Sequence, residues 1–262
     1  MAPRRQPPKV SWARFATEQV ELNRQAVRRD ARGRPVLNGI HRLFVGQTDS
    51  GKTTLMRILT RMKRAVVVFG TKPGVDLALE RYVTDEGYVR IESWPPPKSA
   101  MRLRNGAVRL MLWPKITSYD QLRSHSATFQ AALRQITVEG RWTVAIDEGL
   151  WVCGRDGLNL GREVSDIAYG GRSNGISLHI AMQRPANVPV IVHSQCQQSY
   201  VFTMGNTHDL RELASYSRYS TPEVADAVKA LSDDAEHTHR FLYLPRSGGS
   251  DWQVSEVPAD QA

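Results

Sequence analysis

Two short stretches carry the residue types and spacing needed to handle a phosphate chain. The first, Gly46-Gln47-Thr48-Asp49-Ser50-Gly51-Lys52-Thr53-Thr54, fits the phosphate-loop pattern G-x-x-x-x-G-K-S/T. Gly46 and Gly51 permit backbone angles that turn successive N–H groups toward one anion, and a following helix adds the positive end of its dipole. Lys52 supplies a mobile point charge for the β- and γ-phosphates, and the Thr53 hydroxyl suits a Mg²⁺ shell. The second stretch, Trp142-Thr143-Val144-Ala145-Ile146-Asp147-Glu148, ends a β-rich run in two adjacent carboxylates. Asp147 suits the metal shell opposite Thr53, and Glu148 suits a base that polarises an attacking water. The adjacent pair favours hydrolysis of ATP over kinase or GTPase chemistry. Thr71-Lys72-Pro73-Gly74 looks like a guanine-reading N/T-K-x-D motif. Glycine holds its fourth place, however, and the stretch precedes the acidic strand, so GTP specificity is rejected.

A third stretch runs from Asp166 to Pro185. A helical pattern ends at Gly170-Gly171, Arg172 follows, and the apolar run at 176–182 reads as a strand ending in Gln183. A neutral amide there can sense a γ-phosphate or its water without competing as a base.

Those side chains need strands that deliver them to one edge. The apolar run 43–45 stops at Gly46, and a helical pattern begins after Thr53, giving strand, loop and helix in order. The continuous run at 65–70 fits a strand buried on both faces, and 108–113 and 199–203 are further strand candidates. The spacing predicts one helix over 119–136, with Leu122, Phe129, Leu133 and Ile136 on one side, and others over 207–215 and 221–231. Thr221-Pro222-Glu223 marks the last helix start. Trp94-Pro95-Pro96-Pro97 is a rigid loop, Pro189 opens a short element at 190–193, and 240–244 with 252–257 suggest a terminal hairpin across Ser247-Gly248-Gly249-Ser250. Alternating strands and helices predict an α/β fold with a mostly parallel central sheet flanked by helices. No internal repeat is present.

The chain has 262 residues, a formal charge of +9 and a pI of about 9.8, a balance that favours a polyanionic partner, nucleic acid before membrane. No apolar run reaches the ~18 residues of a membrane span, and the basic start lacks an apolar signal core. Cys153 and Cys196 are too few for a disulfide framework and read as reduced packing residues, which places the expectation in the cytoplasm. Residues 1–39 form a candidate basic arm and helix, and residues 40–262 a single catalytic domain. Across the first forty residues nine cationic side chains oppose only Glu18, Glu21 and Asp30. Pro3, Pro7 and Pro8 make the beginning extended. Trp12, Phe15, Leu22 and Ala26 suit an amphipathic helix over 12–29, and Gly33, Pro35 and Gly39 break the chain after it. An arm that touches DNA or a neighbouring subunit and a solvated tail both fit this pattern.

Together these stretches resemble the FtsK/HerA superfamily of DNA-translocating ATPases. The glycine-lysine loop and Ile146-Asp147-Glu148 are general to P-loop ATPases; Gly171-Arg172-Ser173-Asn174-Gly175-Ile176 with Ala181-Met182-Gln183-Arg184-Pro185 are far more particular. The resemblance covers roughly residues 40–205. It implies a RecA-like core using ATP and Mg²⁺, assembled as a homo-oligomeric ring, usually a hexamer, round double-stranded DNA. Arg172 matches the arginine finger that reaches a neighbour's nucleotide, and Gln183 the polar sensor; Arg184 has no assigned role. Cellular pumps of this group add membrane spans or a DNA-gripping domain, and neither is visible here. The chain therefore looks like a viral genome-packaging ATPase acting in the host cytoplasm or on the virion, with a capsid or portal-vertex protein as a further partner. The alternatives are a conjugation or filamentous-phage export motor, and an ATP-gated switch that binds DNA or capsid.

Overall fold

Runs of four to six residues buried on both sides can form only the inner strands of a covered sheet, and the computed structural model assembles them so. It describes residues 5–29, 35–74, 76–103, 105–185, 188–232, 239–246 and 251–258. Arg4, Asp30, Arg32, Gly33 and Arg34 of the basic segment, with Pro3 and the 247–250 linker, lie outside the described residues.

In chain order the elements are helix α1 (Trp12–Gln25), strands β1 (Val27–Arg29), β2 (Pro35–Leu37) and β3 (Arg42–Val45), helix α2 (Lys52–Thr60), β4 (Ala65–Phe69), α3 (Leu77–Thr84), β5 (Val89–Ile91), β6 (Val108–Leu112), α4 (Tyr119–Ser124), α5 (Ser126–Glu139) and β7 (Thr143–Ile146). There follow α6 (Gly149–Cys153), α7 (Gly161–Gly170), a 3₁₀ turn (Gly171–Asn174), β8 (Ser177–Met182), α8 (Val190–Ser194), β9 (Gln198–Val201), α9 (Thr207–Ser215), α10 (Thr221–Ser232), β10 (Arg240–Pro245) and β11 (Gln253–Glu256). The main sheet has the order β11-β10-β9-β3-β8-β7-β4-β6-β5. Strands β3 to β9 are parallel, whereas β10 runs antiparallel to both β9 and β11. Strand β8 lies between β3 and β7, so the loops after the glycine-lysine strand and the acidic strand flank the loop after β8.

Alternate residues of each strand face opposite layers. Leu43, Val67, Val144 and Leu178 meet Phe129, Leu133, Ile136, Val164 and Ile167 from α5 and α7. Phe44, Val66, Val68, Ala145 and Ala181 meet Phe15, Leu55, Ile58, Leu59 and Tyr82 from α1, α2 and α3. The cysteines pack as expected: both are buried and unbridged, and burial pushes both thiols up to about 12.

Two local expectations fail. The helix expected over 12–29 ends at Gln25, and Val27–Arg29 instead pairs with Pro35–Leu37 as a two-stranded hairpin. The face of α1 turned to the sheet is Phe15 and Gln19, both fully buried, rather than the wholly apolar set. Gln19 Oε1 accepts the Tyr200 hydroxyl at 2.8 Å, so the helix is fixed by polar contact as well as packing. The single helix expected over 119–136 is two, broken at His125. Ser126 Oγ donates to the distant Leu158 carbonyl at 2.6 Å, and Ser118 separately caps the first piece; the four predicted apolar residues are nonetheless buried.

Candidate functional site

Four adjacent parallel strands end along one edge, and each releases a chemically useful residue there. Strand β3 releases the loop 46–51, β8 releases Gln183, β7 releases Asp147 and Glu148, and β4 releases Lys72. The result is a cleft of about 510 Å³ lined by the loop, Thr53, Thr54, Lys72, Asp76, Asp147, Glu148, Gln183 and His239.

The loop's shape follows from its glycines. Gly51 has φ +98°, and Asp49 adopts φ +60° beside it. A Cβ at Gly46 would fall 2.6 Å from the Phe202 Cβ, so a side chain cannot replace the hydrogen there without moving the neighbouring strand's continuation. Lys52 opens α2, and its ammonium donates to the Gln47 carbonyl inside the loop. Burial lowers its pKa, against the pull of Asp147 and Glu148. Gln47 N donates to Thr203 O at 3.2 Å, tying the loop to the segment after β9. Ser50 Oγ is buried with no hydrogen-bond partner.

Thr53 Oγ1 donates to Asp147 Oδ1 at 2.6 Å, joining the two motifs that lie 94 residues apart. Asp147 is 5% exposed. Its second oxygen has no hydrogen bond and faces the Lys72 ammonium at 3.4 Å. A buried carboxylate oxygen without a hydrogen bond, beside a threonine hydroxyl, fits Mg²⁺, which takes one or two protein oxygens and completes its shell with water and phosphate. Among the described residues no group of three or more His, Cys, Asp or Glu forms an all-protein metal cage. Glu148 stands half-buried just beyond, its pKa raised by burial and then by Asp147, while Lys72 pulls the other way. Gln183 Nε2 donates to Thr48 Oγ1 at 3.3 Å, which brings the β8 end against the loop.

A scan against protein-family models finds no match, and a search of curated proteins finds none either. Solved structures do match. The DNA-packaging ATPase B204 from Sulfolobus turreted icosahedral virus has a TM-score of 0.55 at 16% identity, over 85% of this chain and 99% of that one. VirB4 of Thermoanaerobacter pseudethanolicus has 0.58 at 9% identity, over 89% and 96%. The pCW3 conjugation coupling protein TcpA has 0.50 at 17% identity, over 97% of this chain and 69% of that one. The fold is RecA-like.

Within that RecA-like frame, three polar cleft residues, Lys72, Asp76 and His239, escaped the sequence reading. Lys72 meets Asp76 at 3.0 Å and Glu148 at 3.7 Å as well as Asp147. Burial alone would lower its pKa, but Asp147, Asp76 and Glu148 outweigh that and raise it, so the ammonium stays charged. Its signal was the stretch examined for guanine reading, where the lysine matters and the missing aspartate does not. His239, just before β10, lies against Gly51, its Nδ1 3.1 Å from where a Cβ would be, and that Nδ1 is buried without a hydrogen bond. Nothing local in the sequence marks it.

Arg172 does not join its own chain's cleft. It lies in the 3₁₀ turn before β8, and the six residues of that strand put roughly 20 Å between the turn and Gln183. The side chain is exposed, and Nε donates to Gly39 O at 3.2 Å. Arg184 turns away from the cleft, where Nε donates to the buried Asp209 of α9 at 3.3 Å. Among the described residues no helix is long and apolar enough to cross a membrane.

Proposed function

We propose that this chain is an ATP-hydrolysing motor that translocates double-stranded DNA, packaging a viral genome into a capsid. The observation that carries the reading is the 2.6 Å contact of Thr53 with Asp147, with Glu148 next in the chain and lining the same cleft. Lys52 and the N–H groups of the loop hold the triphosphate. Thr53 and Asp147 hold Mg²⁺, which when bound neutralises charge on the β- and γ-phosphates. Glu148 takes a proton from the attacking water; the new O–P bond forms at the γ-phosphorus as the β–γ bridging P–O bond breaks, and ADP departs with the pair. Gln183 orients the water or the γ-phosphate, being neutral and already set beside Thr48. Arg172 acts on the adjoining subunit's nucleotide, because its own lies a strand's length away. Copies then close head-to-tail into a ring, read here as a hexamer, with duplex DNA through its middle and the phosphate backbone as the gripped surface.

Glu148→Gln is expected to keep ATP binding and lose turnover by about 10²- to 10⁴-fold, read by fluorescent-nucleotide titration and phosphate release. Undiminished phosphate release would remove Glu148 as the base. Displacement of a triplex third strand from duplex DNA, dependent on ATP, tests movement; ATP-dependent DNA binding without displacement would favour a switch over a motor.

A further inference from the structure

Three of the four strands that feed the cleft carry a second set of residues at their opposite ends. Arg172 precedes β8, Arg141 precedes β7, and Lys63 with Arg64 precedes β4. Lys63, Arg64 and Arg141 surround a second cleft of about 530 Å³, walled by Asn38, Thr143 and Gly175. Elsewhere arginines find carboxylates, as Arg57 does with Glu86, Arg134 with Glu163 and Arg218 with Asp251. The side chains of Lys63, Arg64 and Arg141 have no hydrogen bond and no carboxylate among the described residues. Arg64 and Arg141 are like charges on one concavity with no carboxylate to offset them, and they repel one another until an anion arrives. Burial, and then the nearby Arg42, already hold the Lys63 ammonium well below the usual lysine range.

The backbone adds an independent observation. Arg141 has φ +63°, a left-handed conformation unfavourable for a residue with a Cβ, where glycine or asparagine would be at ease. Gly140 before it has φ +70°, and a Cβ there would fall 2.5 Å from Asn174 O. Arg141 N donates to that same carbonyl at 2.8 Å, and Ser177 N donates to Trp142 O at 2.8 Å. The turn bearing Arg141 is thus clamped to the turn bearing Arg172, and both exposed arginines are presented from one platform.

We propose that this basic cleft receives the nucleotide-bearing mouth of a second copy of the chain, and that Arg141 reaches the adjoining triphosphate beside Arg172. The cleft described above sets four carboxylates, of Asp49, Asp76, Asp147 and Glu148, against the two ammonium groups of Lys52 and Lys72, so acid outweighs base there before any triphosphate arrives, and the opposite edge presents the cations. Opposite charge at opposite ends of the same strands gives a head-to-tail contact, which repeats from copy to copy. The inference rests on the trans reading of Arg172 and adds to it a second guanidinium and a seat.

The test is sedimentation or mass photometry of the whole chain with Mg²⁺ and ATPγS, with and without Arg141→Glu and Arg141→Gly. Nucleotide is expected to promote self-association of the parent chain, and either variant to weaken it at least tenfold. Arg141→Gly relieves the backbone, so its melting temperature should equal or exceed the parent's while its association falls; a merely structural arginine would not give that pair of results. Association unchanged in both variants, while the parent associates, overturns the role of Arg141 and leaves Arg172 untouched. A parent chain that stays monomeric with ATPγS overturns both readings.

Discussion

Lys72 faces both acids of the cleft, and this has a consequence for pH. With Glu148 as the proposed base, the rate should rise with pH through a value raised above the ordinary carboxylate range by burial and by Asp147. The Lys72 ammonium opposes that rise. Lys72→Met should therefore move the acid limb of the kcat profile to higher pH; a limb that stays put would separate Lys72 from the titration of Glu148. His41 gives a second prediction with the sign fixed by burial. Its Nδ1 accepts the Leu178 N–H at 2.9 Å. Burial first, and the Arg172 charge second, lower its pKa from 6.5 to about 3. The folded value lies below the unfolded one, so this contribution is complete above about pH 6.5 and is lost as pH falls toward 3. Each pH unit in that window costs about 1.4 kcal/mol of stability. His41→Gln should flatten the fall in urea-unfolding free energy between pH 6.5 and 5, and a slope equal to the parent's would clear His41 of the effect.

Among the elements, α1 depends on a buried cation with neutral partners. Arg42 of β3 is fully buried. It donates through Nε to Gln198 Oε1 at 2.7 Å and through a terminal nitrogen to Asn23 Oδ1 at 3.4 Å, and it lies 3.2 Å from His179 Nε2. Phe15 adds edge-on contacts to Tyr200, Phe241 and Tyr243. Phe15→Ala is expected to cost about 3–5 kcal/mol and Gln19→Ala about 1–3 kcal/mol, measured by urea denaturation. Losses near zero would mean that α1 is not held by these contacts. The strands of the core were readable because four to six apolar residues in a row leave a chain few options, and the phosphate loop because its chemistry is contiguous. The hairpin β1–β2 was missed because three-residue strands carry no periodicity. The break at His125 was missed because the anchor of Ser126 is a carbonyl 32 residues away. Lys72, His239 and Arg141 share that obscurity: the first two meet the cleft only when the sheet brings distant segments to one edge, and Arg141 joins its neighbours at the opposite one.

At the scale of the whole molecule, a chain that cannot bring Arg172 to its own cleft should be repaired by a partner. Lys52→Ala removes the cradle charge and Arg172→Ala the proposed finger, and each alone is expected to be silent in phosphate release. Mixed, the two should recover measurable turnover, because an intact cradle on one copy then meets an intact arginine on the other. A mixture as silent as its parts would place the finger elsewhere. Arg172→Ala keeps the backbone carbonyl that accepts Gly39 N and Gly175 N, and it removes the exposed side chain with its bond from Nε to Gly39 O.

The packing of Phe15 against Phe241 and Tyr243 also sets an order of events during synthesis. Helix α1 leaves the ribosome before the sheet it packs on, and the aromatic bed formed by Phe241 and Tyr243 is translated more than two hundred residues later. Pro8 and Val10 likewise exchange backbone bonds with Val254 in the final strand. Until that strand emerges, the opening segment has nowhere to dock, and closure of so long a loop comes late. A nascent chain stalled before residue 240 should therefore expose residues 8–25 to protease, and synthesis through β11 should protect them.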